Sequence, residues 1–157
     1  MRTKAELLDA LETSRDEVVG GLDGVDLSGG VYEGGWNGKQ LLAHIASMEW
    51  TYPRILELPE ATDEEAAQPR DTSVTVDDYN ARQVAKREGA SVEELIEEFV
   101  RNRARTIEAV AAHPDDDFER RVRSAGGTVG TLADVMWFVA VDHVRGHLAD
   151  LRGESVG

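Results

Sequence analysis

Hydrophobic residues recur every three or four positions in four segments of this chain, whereas almost no segment alternates as a β-strand does. The first segment, from Thr3 to Leu22, predicts helix 1, since Thr3 and Glu6 form a capping box and the apolar residues fall on one face. Residues 20–38 hold eight of the fifteen glycines, and each glycine inside a helix costs about 1 kcal/mol relative to alanine. We therefore expect a loop there, with a short extended piece around Val31 and Tyr32.

The second segment starts near Asn37 and keeps its apolar residues on one arc as far as Leu56. Pro53 should kink this helix or end its regular part, because proline lacks the backbone N–H and clashes with the preceding turn. Residues 59–76 are polar, acidic and broken by a proline, which predicts a long connection. The acidic stretch from Thr62 to Asp71 could dock a partner, but a solvated loop is the more common role of such a stretch.

Two further helices complete the pattern. Helix 3 is expected to begin at Asp77, to be interrupted near Gly89, to restart at a capping box on Ser91 and to stop before Pro114. A last long loop, acidic and then glycine-rich, follows it, and helix 4 is expected over residues 131–152. Each helix has one apolar stripe that only other helices can cover. The sequence therefore predicts an all-α fold, a four-helix bundle.

Composition narrows the class of protein. A chain of 157 residues with 41% hydrophobic and 31% charged residues suits one globular domain over residues 1–157. The formal charge of −14 argues against nucleic acid and anionic membranes as partners. There is no apolar leader and no run long enough to span a bilayer, so we expect a cytoplasmic protein. The absence of cysteine excludes disulfides, thiolate ligands and a cysteine nucleophile.

The histidines carry the candidate chemistry. His143 and His147 lie four residues apart in the middle of the apolar stripe of helix 4, a spacing that lets two imidazoles converge on one metal ion. His44, at the border of the apolar arc of helix 2, can reach the interior too. Burying an unpaired polar group costs roughly 1–3 kcal/mol, so a shared metal would satisfy the rings; pairing with buried carboxylates in a metal-free structural bundle would do so as well. His113 is explained by attraction to a helix dipole.

Two segments resemble a known family. GWNGKQLLAHIASMEW, residues 35–50, is similar to the second helix of the DinB/YfiT-like family, in which a tryptophan precedes a helix of the form W-s-x-x-x-L-L-x-H-I/L-a-x-x-E. TLADVMWFVAVDHVRGHLADLRG, residues 131–153, is similar to its fourth helix with paired histidines. The resemblance covers essentially the whole chain. It implies a four-helix bundle of that family's topology, with a divalent metal, zinc or nickel, bound by His44, His143 and His147.

Family chemistry supplies a functional expectation. Characterised relatives use the metal to activate a low-molecular-weight thiol, mycothiol or bacillithiol, for transfer to an electrophile or for isomerisation. The resemblance therefore implies a metal-dependent thiol transferase with a small-molecule substrate, and, since relatives are often dimers, a homodimer. Lysine is scarce, a bias common in GC-rich genomes, which favours mycothiol. The alternative is a non-catalytic module that binds or sequesters a toxic small molecule.

Other residues near the histidines receive no catalytic role. Asp150, three residues after His147, could orient that imidazole, although a solvated surface aspartate is the more common case. Glu49 matches a frequent acidic position of the family but lies well around helix 2 from His44, so we assign it no general-base role. The three tryptophans are expected in the core rather than as a substrate platform: Trp36, Trp50 and Trp137.

Overall fold

The computed structural model describes residues 2–30, 32, 35–69 and 74–154, with the backbone alone over 74–76. Its α-helices are α1 (Lys4–Gly21), α2 (Gly38–Glu49), α3 (Asp63–Ala67), α4 (Val74–Lys86), α5 (Val92–Ala112), α6 (Leu132–Trp137) and α7 (His143–Leu151). Two strands, β1 (Arg121–Arg123) and β2 (Val129–Thr131), lie between α5 and α6. Short 3₁₀ turns cover Tyr52–Glu57 and Asp115–Glu119, and a π turn, Phe138–Asp142, joins α6 to α7 in one continuous helix.

Four long helices form the bundle: α1, α2, α5 and the continuous helix made of α6, the π turn and α7. α2 packs against α5, α4 and α7, while α1 packs against α5 and against α6 and α7. Buried apolar residues of all four elements fill the interior. The predicted all-α four-helix bundle is confirmed.

Capping side chains explain where the helices begin. The Thr3 hydroxyl accepts a hydrogen bond from the backbone N–H of Glu6 at 3.1 Å. Asn37 forms a capping box at the start of α2, where its side chain accepts from a backbone N–H at 2.8 Å. Ser91 forms another at the start of α5. Each cap satisfies backbone donors that the first helical turn leaves without a partner, so the starts of these three helices are local properties of the sequence.

The regular part of α2 ends at Glu49, before Pro53, as expected. Pro53 then occupies the start of the 3₁₀ turn, a position where its missing N–H costs nothing. At the other end, Gly38 lies so close to Leu27 that an added Cβ would be 3.0 Å from the Leu27 backbone. The glycine lets the preceding loop pack directly on the start of α2. Val31 of the expected extended piece falls outside the described residues, while Tyr32 donates its backbone N–H to the carbonyl of Trp36 at 2.8 Å.

Helix 3 is interrupted near Gly89 and restarts after Ser91, as expected, so it consists of two helices. α4 begins at Val74, three residues before the expected start, and ends at Lys86, after which a turn around Gly89 leads to α5. α4 packs on α2, so the interruption near Gly89 lets α4 cover a second face of the bundle. No helix in the described part of the chain is long and apolar enough to cross a membrane.

Two expected loops contain regular structure. The last long loop contains an antiparallel pair with Val122 opposite Gly130, which a strand of three residues is too short to reveal as an alternating pattern. The connection over 59–76 contains α3 and packs on this hairpin: Arg121 pairs with Asp63 at 2.7 Å, and Arg123 donates to the carbonyl of Gln68 at 3.0 Å. The acidic stretch therefore contacts the chain's own arginines.

Candidate metal centre

The structure brings the imidazoles of His44, His143 and His147 together between α2 and α7. The ring centroids of His44 and His147 are 5.5 Å apart, those of His143 and His147 are 4.4 Å apart, and those of His44 and His143 are 6.4 Å apart. The pair on α7 is adjacent because residues four apart on a helix share a face. The third ring joins them because α2 packs against α7.

Two of these rings are buried without full hydrogen bonding. His44 is 6% exposed and His147 is 7% exposed. Among the described residues, neither the Nδ1 atom of His44 nor the Nε2 atom of His147 has a hydrogen-bond partner. An unsatisfied buried polar atom costs free energy and is uncommon in native proteins, so each such atom calls for an explanation.

Both buried rings are neutral at physiological pH. Burial, followed by the charges of His147 and His143, lowers the pKa of His44 to about 4. Burial, followed by the charge of His143, lowers the pKa of His147 to about 4, while the charge of Asp150 acts in the opposite direction. Neutral imidazoles keep a lone pair available, which is the state in which histidine binds metals.

His143 lies on the exposed side of this cluster, contrary to its expected place in the middle of the apolar stripe. The π turn explains the difference: the N–H of His143 donates to the carbonyl of Phe138, five residues earlier. One extra residue in that turn shifts all later positions by about 100° relative to a regular α-helix. Val144, at 2% exposure, takes the central position instead. The cluster consequently has one side open to solvent.

Trp36 and Trp137 pack on the apolar core as partly buried residues, as expected, whereas Trp50 does not. Trp36, half-buried, stacks against His44 with ring centroids 4.9 Å apart and covers one face of that imidazole. Trp50 is 47% exposed, with the Arg105 guanidinium 3.7 Å from its ring centroid. Trp137 is half-buried and donates to Asp142 at 3.2 Å. Of the three, Trp36 alone contacts the histidine cluster in the described structure.

The residue types in the cluster suit a transition metal, but their present arrangement does not match the geometry of a metal site. In the described ranges, no group of three or more His, Asp or Glu side chains meets the geometry of a metal site. The three rings are nevertheless neighbours, and two carry buried nitrogens that have no hydrogen-bond partner in the part of the chain that the structure describes. Imidazole nitrogens suit zinc and nickel. Metal binding by His44, His143 and His147 stays a prediction.

Glu49 belongs to a second buried group, which the sequence did not reveal. We define the polar layer as Ser14, Glu49, Arg103 and Thr106, all fully buried. Arg103 donates to both carboxylate oxygens of Glu49 at 2.9 Å, and the Thr106 hydroxyl donates to the same carboxylate at 2.8 Å. Glu49 is thus fully occupied, which agrees with assigning it no base role. The available signal was an arginine on the apolar stripe of α5, one turn after Phe99.

The remaining histidine lies elsewhere. His113 caps the C-terminal end of α5, and its Nε2 atom is 2.5 Å from a carboxylate oxygen of Asp117. Arg120 donates to that carboxylate as well, at 2.8 Å. The hydrogen bonds from Arg120, followed by the one that involves His113, lower the pKa of Asp117 to about 2. His113 therefore connects the C-terminal end of α5 to the 3₁₀ turn that follows it.

Comparison with known proteins adds the family. No curated protein and no solved structure matches the chain significantly. A family model, described as the DinB superfamily, matches residues 31–151, a span that includes α2, α7 and all three clustered histidines. This span is well over half of the chain. The chain belongs to the DinB superfamily.

Proposed function

We propose that this protein is a metal-dependent enzyme that transfers a low-molecular-weight thiol of the mycothiol type to a small electrophile, with zinc or nickel held by His44, His143 and His147. The observation that carries the proposal is the pair of buried, neutral imidazoles that meet with one nitrogen each lacking a partner among the described residues. Membership of the DinB superfamily supports a site at these positions more than it supports any particular substrate.

Each clustered residue would have a distinct part. When bound, a divalent metal lowers the pKa of a coordinated thiol, so that the thiolate prevails near neutral pH. His44 and His147 would present lone pairs from a water-poor interior. Trp36, stacked on His44, would hold that ring in place. His143, on the exposed side, marks where a thiol and its acceptor can enter.

The thiol must come from outside because the chain has no cysteine. In the proposed reaction the thiol loses its proton, a new sulfur–carbon bond forms, and the leaving group departs with the electron pair of its former bond. Glu49 is fully buried and ion-paired with Arg103, so we assign this carboxylate no role in accepting the thiol proton. The proton would leave to bulk water on the side of His143.

The charge of the chain restricts the electrophile. With a formal charge of −14, the protein repels anions over most of its surface. A neutral or cationic electrophile would therefore approach the site more readily than an anionic one. This preference should weaken with added salt, because salt screens charges separated by more than about 8–10 Å at physiological ionic strength.

The test is a turnover assay. Protein loaded with zinc or nickel is mixed with a chlorobimane-type acceptor and with mycothiol, bacillithiol, glutathione or coenzyme A in turn. We expect at least one thiol to support multiple turnovers, with chloride released. His143→Ala, which changes a ring on the exposed side, should abolish turnover and leave the helical circular dichroism unchanged.

A binding or sequestering module is the competing function, and the same assay separates the two. Capture without turnover would yield at most one modified molecule per protein chain. If no thiol supports a rate above the uncatalysed rate with either zinc or nickel bound, the transferase proposal is wrong. A homodimer and a cytoplasmic location stay predictions.

A further inference from the structure

We propose that Arg103, paired with Glu49, is a positioning residue that anchors the π turn and thereby sets where His143 and His147 lie relative to His44. The inference rests on the proposed function only for its effect on metal binding. Its geometric part concerns the chain alone and is tested without metal.

Arg103 connects all four helices of the bundle through one guanidinium. Its Nε and one Nη donate to Glu49 on α2, and its other Nη donates to the Leu11 carbonyl at 2.9 Å and to the Ser14 hydroxyl at 2.8 Å, both on α1. The remaining donor goes to the Ala140 carbonyl, within the π turn, at 2.6 Å. These five hydrogen bonds use all five N–H groups of the side chain. Such a fork has one orientation, which makes it a rigid connector.

This connector lies next to both elements that carry the clustered histidines. Glu49 follows His44 by five residues on α2, about 7.5 Å along the helix axis, and Ala140 precedes His143 by three residues, about 4.5 Å along its helix. A displacement of the π turn against α2 would therefore move the two rings of α7 against the ring of His44. Asn102, next to Arg103, adds a hydrogen bond to the Ala46 carbonyl of α2 at 3.1 Å.

The hydrogen bond from Arg103 accounts for a π turn that the local sequence does not explain. No proline or glycine in residues 132–145 forces the wide turn. A regular α-helix through this segment would rotate His143 and His147 by about 100° around the helix axis. The bond from Arg103 to the Ala140 carbonyl is a tertiary interaction within the wide turn itself. Loss of this bond should let the segment relax toward the regular helix.

Single substitutions would confound position with stability, because removing one partner leaves a buried charge unpaired. The double variant Glu49→Leu/Arg103→Met removes both charges and keeps most of the volume, a change that buried ion pairs often tolerate. The Ser14 hydroxyl keeps its bond to the Ala10 carbonyl, and the Thr106 hydroxyl keeps one to Asn102. The matched control is Arg87→Met/Glu98→Leu, which removes another bidentate pair, between the end of α4 and α5.

The experiment measures nuclear Overhauser effects between imidazole ring protons in the metal-free full chain. The His143–His147 effect lies within α7 and serves as the internal reference; the His44–His147 effect reports on the two helices. In Glu49→Leu/Arg103→Met we expect the second effect to fall several-fold relative to the first. In the control double variant we expect the ratio of the parent protein. An unchanged ratio in a folded Glu49→Leu/Arg103→Met variant overturns the inference.

Two further measurements keep the test decisive. If the double variant does not unfold cooperatively, Arg103→Lys replaces it, because lysine keeps the charge opposite Glu49 but lacks the five-donor fork; the ratio of the two effects is then read in the same way. In calorimetric titrations, zinc affinity should fall about 10–100-fold in the variant and stay unchanged in the control. A parent protein that binds neither zinc nor nickel contradicts the proposed function, whereas the nuclear Overhauser effects still decide the positioning inference.

Discussion

The polar layer and the histidine cluster are both buried, polar and shared between helices, yet they differ in one respect. In the polar layer, every guanidinium N–H of Arg103 and both oxygens of Glu49 have hydrogen-bond partners. In the histidine cluster, the described chain leaves one nitrogen each of His44 and His147 without a partner. The same bundle thus satisfies one buried polar group completely and leaves the other incomplete.

The difference fits a structural role for the polar layer and the metal site proposed for the histidine cluster. The polar layer lies between two apolar clusters, one around Leu7 and Met136 and the other around Leu41 and Phe99, and its bonds hold the four helices in one arrangement. Incomplete hydrogen bonding in the cluster is what a site for an external ligand requires before the ligand arrives. A group that stabilises the fold and a group that binds should therefore respond oppositely when a single member is replaced by an apolar residue.

The largest effect is expected in the polar layer. Glu49→Ala or Arg103→Ala should lower the free energy of unfolding by about 3–5 kcal/mol, because either change leaves a buried charge unpaired. Urea denaturation followed by circular dichroism measures this loss. Arg87→Ala, at the more exposed pair with Glu98, is the reference and should cost about 1 kcal/mol or less. Equal losses of stability at the two ion pairs would show that the polar layer stabilises the fold no more than a more exposed ion pair does.

Next in size is the effect on zinc binding in the cluster. His147→Ala should weaken zinc binding more than ~100-fold, since a lost ligand costs more than a lost supporting contact. Calorimetric titration with zinc measures the change. His113→Ala, outside the cluster, serves as the matched control and should bind zinc as the parent protein does. Parental affinity in His147→Ala would show that the three-histidine site is wrong.

A smaller effect of opposite sign is expected in the metal-free protein. His147→Leu removes a buried nitrogen that has no partner in the described structure, so its stability should change by less than about 1 kcal/mol and in the stabilising direction. The measurement is thermal unfolding in the presence of a chelator. Destabilisation by several kcal/mol would mean that this imidazole is a satisfied structural group, like the polar layer.

The smallest effect concerns the partly buried group of His113, Asp117 and Arg120. The folded state lowers the pKa of Asp117 to about 2 from an ordinary value of 3.8, so its contribution is present above pH 3.8 and is lost as pH falls toward 2. Asp117 is partly exposed, so Asp117→Asn should cost below about 1 kcal/mol at pH 7. Unfolding at pH 7 and at pH 2.5 measures the difference between variant and parent, which should shrink at the lower pH.

The sequence predicted that the three histidines lie close together, but it did not predict the contacts around them. The i, i+4 spacing of His143 and His147 is a local property, and so is the placement of His44 near the apolar arc of α2. The exposure of His143 was missed because a helical wheel assumes 3.6 residues per turn throughout, and nothing in residues 132–145 marks the π turn. Arg103 was missed because an arginine on an apolar stripe gains its partners from other helices.

The sequence by itself therefore determined the features that depend on residues close together in the chain. Thr3, Asn37 and Ser91 start their helices through bonds to residues three positions later, and apolar periodicity selects the faces that pack. Tertiary structure decided the π turn, the packing of α3 on the hairpin and the five-fold bonding of Arg103. Each of these depends on partners between about 37 and 92 positions apart in the chain. Such partners meet only once the helices have packed.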